Sequence, residues 1–110
     1  MAVEKYRQII QELILQRSQR GVSSKYIETQ AILDTECDHY LLLHTGWREN
    51  HRTHGCSIHI DIKDGKIWIQ HDGTEVGIAT VLVELGVPKE DIVLAFHSPS
   101  IRQFTEFATH

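Results

Sequence analysis

The stretch HRTHGCSIHIDIK, His51 to Lys63, gathers side chains able to bind a metal or move a proton: His51, His54, Cys56, His59 and Asp61. Imidazole, thiolate and carboxylate are the ligand types of zinc, which needs them converging on one ion at about 2.0–2.3 Å. The spacing argues against such a site. No paired C-x-x-C is present. If a strand has begun by His54, alternation sends His54 and Cys56 to the core side and His59 and Asp61 to the opposite side, unless a bulge intervenes. No metal and no other cofactor is therefore expected. Cys56 reads as a small core residue, and these histidines as surface or capping groups.

The tripeptide Asp61-Ile62-Lys63 offers a second chemistry. A carboxylate and an ammonium two residues apart on one strand face are the parts of a metal-dependent nuclease, in which acids hold Mg²⁺ and a lysine stabilises the charge at the scissile phosphate. Asp34 or Asp38 would supply the remaining acid. An acid two residues before a lysine is also ordinary on a wet strand beside a turn, so this enzyme is the alternative reading and not the leading one. Other catalytic signatures are missing: there is no G-x-S-x-G elbow, no glycine-rich phosphate loop and no H-E-x-x-H. Cys37 and Cys56 are too few for a disulfide framework, and both read as free, inert thiols.

The elements that position these residues follow from periodicity. Val3, Tyr6, Ile10, Leu13 and Arg17 recur at helical spacing, with Ile9 and Ile14 widening the stripe, so residues 3–20 form a helix that stops at Gly21. KYIETQAILDT alternates as a strand, and the evenly apolar DHYLLLHTGW belongs inside the sheet. RENHRT reads as a polar loop. SIHIDIK and KIWIQH flank Asp64-Gly65, the dipeptide that suits a two-residue type I′ turn because both positions need positive φ. A second helix is expected with Asp72 as its cap and Glu75 completing a capping box, an inner side of Val76, Ala79, Leu82, Val83 and Leu85, and an end at Gly86 and Pro88. IVLAF is a buried strand, and Ser98-Pro99 begins a short helical turn. The whole chain, 1–110, is one α+β domain. Its order is α-β-β-β-β-α-β, with a mainly antiparallel sheet of four to five strands and helices on one face.

Parity then sorts the chemistry-bearing residues. Across a two-residue turn Ile62 faces Ile67, Asp61 faces Trp68, Ile60 faces Ile69 and His59 faces Gln70, and opposed residues share a face. Ile58, Ile60, Ile62, Ile67 and Ile69 form the core side. His59, Asp61, Lys63, Lys66, Trp68 and Gln70 form the other, where an aromatic ringed by polar groups is what association surfaces present. That face is the expected partner contact, unless the C-terminal tail folds over it.

Composition narrows the class further. The chain has 110 residues, 41% hydrophobic and 24% charged, with a formal charge of −4. No apolar run approaches the roughly 20 residues of a membrane helix, and the charged N-terminus is not a signal peptide. No membrane association and a cytoplasmic location are expected. Direct DNA binding would have to lean on scattered Arg17, Arg20, Lys25, Arg48 and Arg52, which no single helix face collects.

The segment from Thr53 to Ala108, above all HIDIKDGKIWIQHDGTE and ELGVPKEDIVLAFH, together with YLLLHTGW around Trp47, resembles the XisI family of cyanobacterial fdxN-element excision controlling factors. The opening helix and first strand fit as well. The resemblance implies an accessory role in developmental DNA rearrangement during heterocyst differentiation. The implied partners are a companion protein of the XisH type and a site-specific recombinase, and self-association is expected. It brings no catalytic motif, so the leading expectation is a non-enzymatic regulator of site-specific DNA excision working through protein–protein contacts.

Overall fold

Five isoleucines decide how the sheet faces. In a computed structural model, which describes residues 2–20 and 25–110, Ile60, Ile67 and Ile69 are wholly buried and Ile58 and Ile62 nearly so. The hairpin that places them turns on Asp64 and Gly65 at φ 54° and 77°, the positive pair a type I′ turn requires. Lys63 pairs Lys66, Ile62 pairs Ile67, Asp61 pairs Trp68 and Ile60 pairs Ile69, as parity demands.

The elements run α1 (Ala2–Gln19), β1 (Ile27–Asp34), β2 (His39–Arg48), β3 (His51–Lys63), β4 (Lys66–Asp72), α2 (Ile78–Glu84), a 3₁₀ turn (Lys89–Asp91), β5 (Ile92–Leu94) and α3 (Pro99–Arg102). This is the expected α+β order. Gly21, the expected stop of α1, lies outside the described residues. The sheet order is β1-β2-β3-β4-β5, antiparallel throughout except that β5 runs parallel to β4 after the α2 crossover. Tyr6, Ile10, Leu13 and Ile14 of α1 and Ile78 and Leu82 of α2 meet the isoleucine face in one core.

Several local expectations are corrected. RENHRT is not a loop: only Glu49 and Asn50 turn, Glu49 at φ 57°, and Arg48 already pairs with His51. Those residues lack apolar alternation because little lies over them. The second helix begins at Ile78, after Gly77, and Glu75 makes no capping box. Asp72 serves its start from a distance, accepting the Ile78 N–H at 2.7 Å on one oxygen and the Thr74 N–H and hydroxyl on the other. Val76 and Leu85 are consequently exposed, and Ile78 joins Leu82 in the core. The exit behaves as read: Gly86 takes φ 100° and the Val87 N–H reaches back to Leu82 O at 3.0 Å.

Two bulges break the simple parity. Leu42 pairs Ile58 but Leu43 pairs Cys56, so Ser57 is an extra residue on β3. Ile60 pairs Ile69 but His59 pairs His71, so Gln70 is extra on β4. The expected His59–Gln70 opposition therefore does not occur. The first bulge also transfers Cys56 from the row of Ile58 and Ile60 to the row of Leu41 and Leu43, which reverses its expected core-side placement. Cys56 is half-buried, its thiol donating to Ile58 O, and Cys37 is exposed; both are free. Among the described residues no helix is long and apolar enough to cross a membrane.

Candidate functional site

The side of the sheet away from α1 and α2 is built by alternation on β2, β3 and β4. Tyr40 and Leu42 enter the core, so His39, Leu41 and Leu43 stand on the opposite side, paired with Asp61, His59 and Cys56. On β1, Ile32 pairs Leu41 and is 40% exposed. An apolar strip of Ile32, Leu41 and Leu43 thus lies beside the polar row from the hairpin.

Within that row Asp61 is the hub. Its Oδ1 lies 2.8 Å from His39 Nδ1 and 3.0 Å from His59 Nε2, and its Oδ2 accepts from Gln70 Nε2 at 3.2 Å. The bond to Asp61, then the carboxylate's charge, raises the pKa of His39. Sequence reasoning alone misses His39. Its signal was the cross-strand register, which needs the length of both β2 and β3.

Trp68 is half-buried. The C-terminal tail does reach it, as the alternative to an open face supposed. The Arg102 guanidinium sits 5.6 Å and the Lys63 ammonium 4.7 Å from the ring centroid. The indole N–H donates to Lys63 O at 3.0 Å. Arg102 also donates to the carbonyls of His97, Ala95 and Thr109 at 3.0–3.3 Å, and Lys66 to His110 O at 2.6 Å. Lys63 and Lys66 therefore pin the ring and the tail at one edge of the expected contact face.

The family model described as XisI protein matches residues 1–109. The chain belongs to the XisI family. Among solved structures, an XisI-like protein of Anabaena variabilis is 42% identical over 98% of both chains, with a TM-score of 0.92. The fdxN element excision controlling factor XisI of Anabaena variabilis is 34% identical over the full length of both, with a TM-score of 0.87. Among curated proteins no match arises.

In this XisI family member the acids considered for a nuclease are engaged elsewhere. Asp38 accepts from Arg7 Nε and Nη2 and from the Tyr40 hydroxyl, and Arg7 foremost holds its carboxyl below the usual range. Asp34 accepts the backbone N–H groups of Glu36 and Cys37 at 3.0 Å, which lowers its pKa, the Cys37 bond most. Neither is bonded to Asp61, and Lys63 is turned onto Trp68.

A cleft of about 370 Å³ is lined by Ile27, His44, Arg48, Thr53, Cys56 and Ser57. His44 lies 2.7 Å from the Ser57 hydroxyl through Nε2 and 3.1 Å from Thr29 Oγ1 through Nδ1. A hydroxyl stands where a carboxylate would stabilise an imidazolium, so this relay lacks the third member of a nucleophile triad. His54 lines the same cleft and His51 pairs with Arg48 at the hairpin tip, both distant in register from Asp61. The tip also carries Arg52 over the half-exposed Trp47, and the Trp47 N–H to Tyr26 O bond brings Lys25 alongside. Arg48, Arg52 and Lys25 are thus collected by a sheet end, where no helix face would have collected them.

Proposed function

We propose that this protein controls the excision of a DNA element as a non-enzymatic accessory factor, working in the cytoplasm by docking other proteins on the sheet face opposite α1 and α2. The name of one solved relative, an fdxN element excision controlling factor, supports the biological setting. One observation carries the docking part: β2 is apolar on both parities. Tyr40 and Leu42 fill the core, while Leu41 and Leu43 stand on the side that neither α1 nor α2 covers. A strand covered on one side alone normally alternates apolar with polar. An apolar centre rimmed by His39, His59, Gln70 and Trp68 has the layout of an interface core and its polar rim.

The partners that suit it are a companion protein of the XisH type and a second copy of this chain, with the recombinase joined through that assembly. A net charge of −4 favours protein contact over phosphate neutralisation.

Leu41→Lys and Trp68→Ala test the reading by sedimentation velocity and by pull-down with the companion protein. Leu41→Lys is expected to abolish one or both associations while the melting temperature stays near that of the parent. If both variants associate as the parent does, the docking face lies elsewhere and the reading fails.

A further inference from the structure

Two imidazoles aimed at one carboxylate oxygen are the makings of an ion site. His39 Nδ1, His59 Nε2 and Asp61 Oδ1 all lie within 4.8 Å of one another. We propose that His39, His59 and Asp61 bind one divalent transition-metal ion of the zinc class, with its remaining positions open to solvent. This goes beyond the docking role and does not depend on it.

Several features support the site. The donors, two imidazoles and a carboxylate, suit zinc and its neighbours, whereas Mg²⁺ and Ca²⁺ prefer oxygen alone. The spacing is right: donors about 2.0–2.1 Å from one ion stand about 2.9 Å apart at a right angle and about 3.4 Å apart at a tetrahedral one. The observed N···O separations are 2.8 and 3.0 Å, so a small outward swing of the rings admits the ion.

The scaffold is rigid. His39 and Asp61 are direct cross-strand partners, and His59 precedes Asp61 by two on the same strand face. The carboxylate is oriented from behind, since Gln70 Nε2 donates to Asp61 Oδ2 and leaves Oδ1 for the ion. The His39 side chain is 53% exposed, which gives the ion a path from solvent. The Lys63 ammonium and the Arg102 guanidinium are drawn onto the Trp68 ring.

The test uses the full-length protein, stripped with chelator and titrated calorimetrically with zinc chloride and with magnesium chloride. One zinc ion should bind per chain and magnesium should give no heat. His39→Ala and Asp61→Asn should each weaken zinc binding at least ~10-fold, while His54→Ala, on the other side of the bulge, leaves it unchanged. Zinc should also raise the melting temperature of the parent and not that of His39→Ala, whose exposed ring is dispensable for folding. No zinc binding by the parent, or parental affinity in the His39→Ala/His59→Ala double variant, would leave a hydrogen-bonded triad only and overturn the proposal.

Discussion

Arg7 on α1 and Asp38 at the entry to β2 meet in a two-point ion pair, Nε to Oδ1 at 2.8 Å and Nη2 to Oδ2 at 3.0 Å. Planar guanidinium and planar carboxylate match in this geometry, which ties the helix to the sheet where core side chains end. Because the pairing depresses the Asp38 pKa, its stabilisation is present above the ordinary aspartate value of about 3.9 and is lost as pH falls through the folded value. Arg7→Ala should lower the urea midpoint at pH 7 and narrow the difference between the midpoints at pH 7 and pH 3.

A second tie, from Tyr6 to Asp91, acts at the alkaline end. Burial first, then the hydrogen bond to Asp91, pushes the Tyr6 phenol up to about 12. A raised folded pKa means the contribution is whole below the ordinary phenol value of about 10 and is lost as pH rises through 12. Tyr6→Phe should make the fall in melting temperature between pH 9 and 12 shallower. Some slope should remain, since burial also raises the Tyr40 phenol.

The register itself is testable at Ile60, wholly buried between its neighbours on β2 and β4. Ile60→Ala should cost about 2–5 kcal/mol in denaturant unfolding. Lys63→Ala, on the opposite face, should stay within about 0.5 kcal/mol of the parent.

Gly46 constrains the β1–β2 pairing. Its φ is 149°, and a Cβ there would run into the Tyr26 carbonyl that accepts from the Trp47 N–H. Gly46→Ala should therefore destabilise by more than about 1 kcal/mol and speed amide exchange at Trp47.

Arg102 closes the tail over Trp68. Arg102→Ala removes the ring contact and donors to three carbonyls at once. The expected result is faster amide exchange beyond Gln103 and a red-shifted tryptophan emission, with the sheet's exchange unchanged.

The sequence by itself determined what is set within a few residues. Asp64-Gly65 demanded its turn, the alternating isoleucines demanded one buried face, the three- and four-residue rhythm of Tyr6, Ile10 and Leu13 demanded a helix, and Gly86 with Pro88 ended α2. Each rests on local sterics or on a period read along the chain. The sequence also carried, in the doubly apolar LLL of β2, a demand for cover on both sides.

Only the tertiary structure decided which residues meet across the sheet. A single extra residue at Ser57 or Gln70 costs little locally yet reverses the parity of everything beyond it, so alternation alone could not assign Cys56 or the partner of His59. His39 reaches Asp61 across 22 positions, and Arg102 reaches Trp68 from the tail; such pairings come from strand register and chain return, which no window of sequence contains. The acids show the same division. Asp61, Asp38 and Asp34 are alike as letters, and it is their neighbours in space, two imidazoles, a guanidinium and a pair of backbone N–H groups, that give each its work.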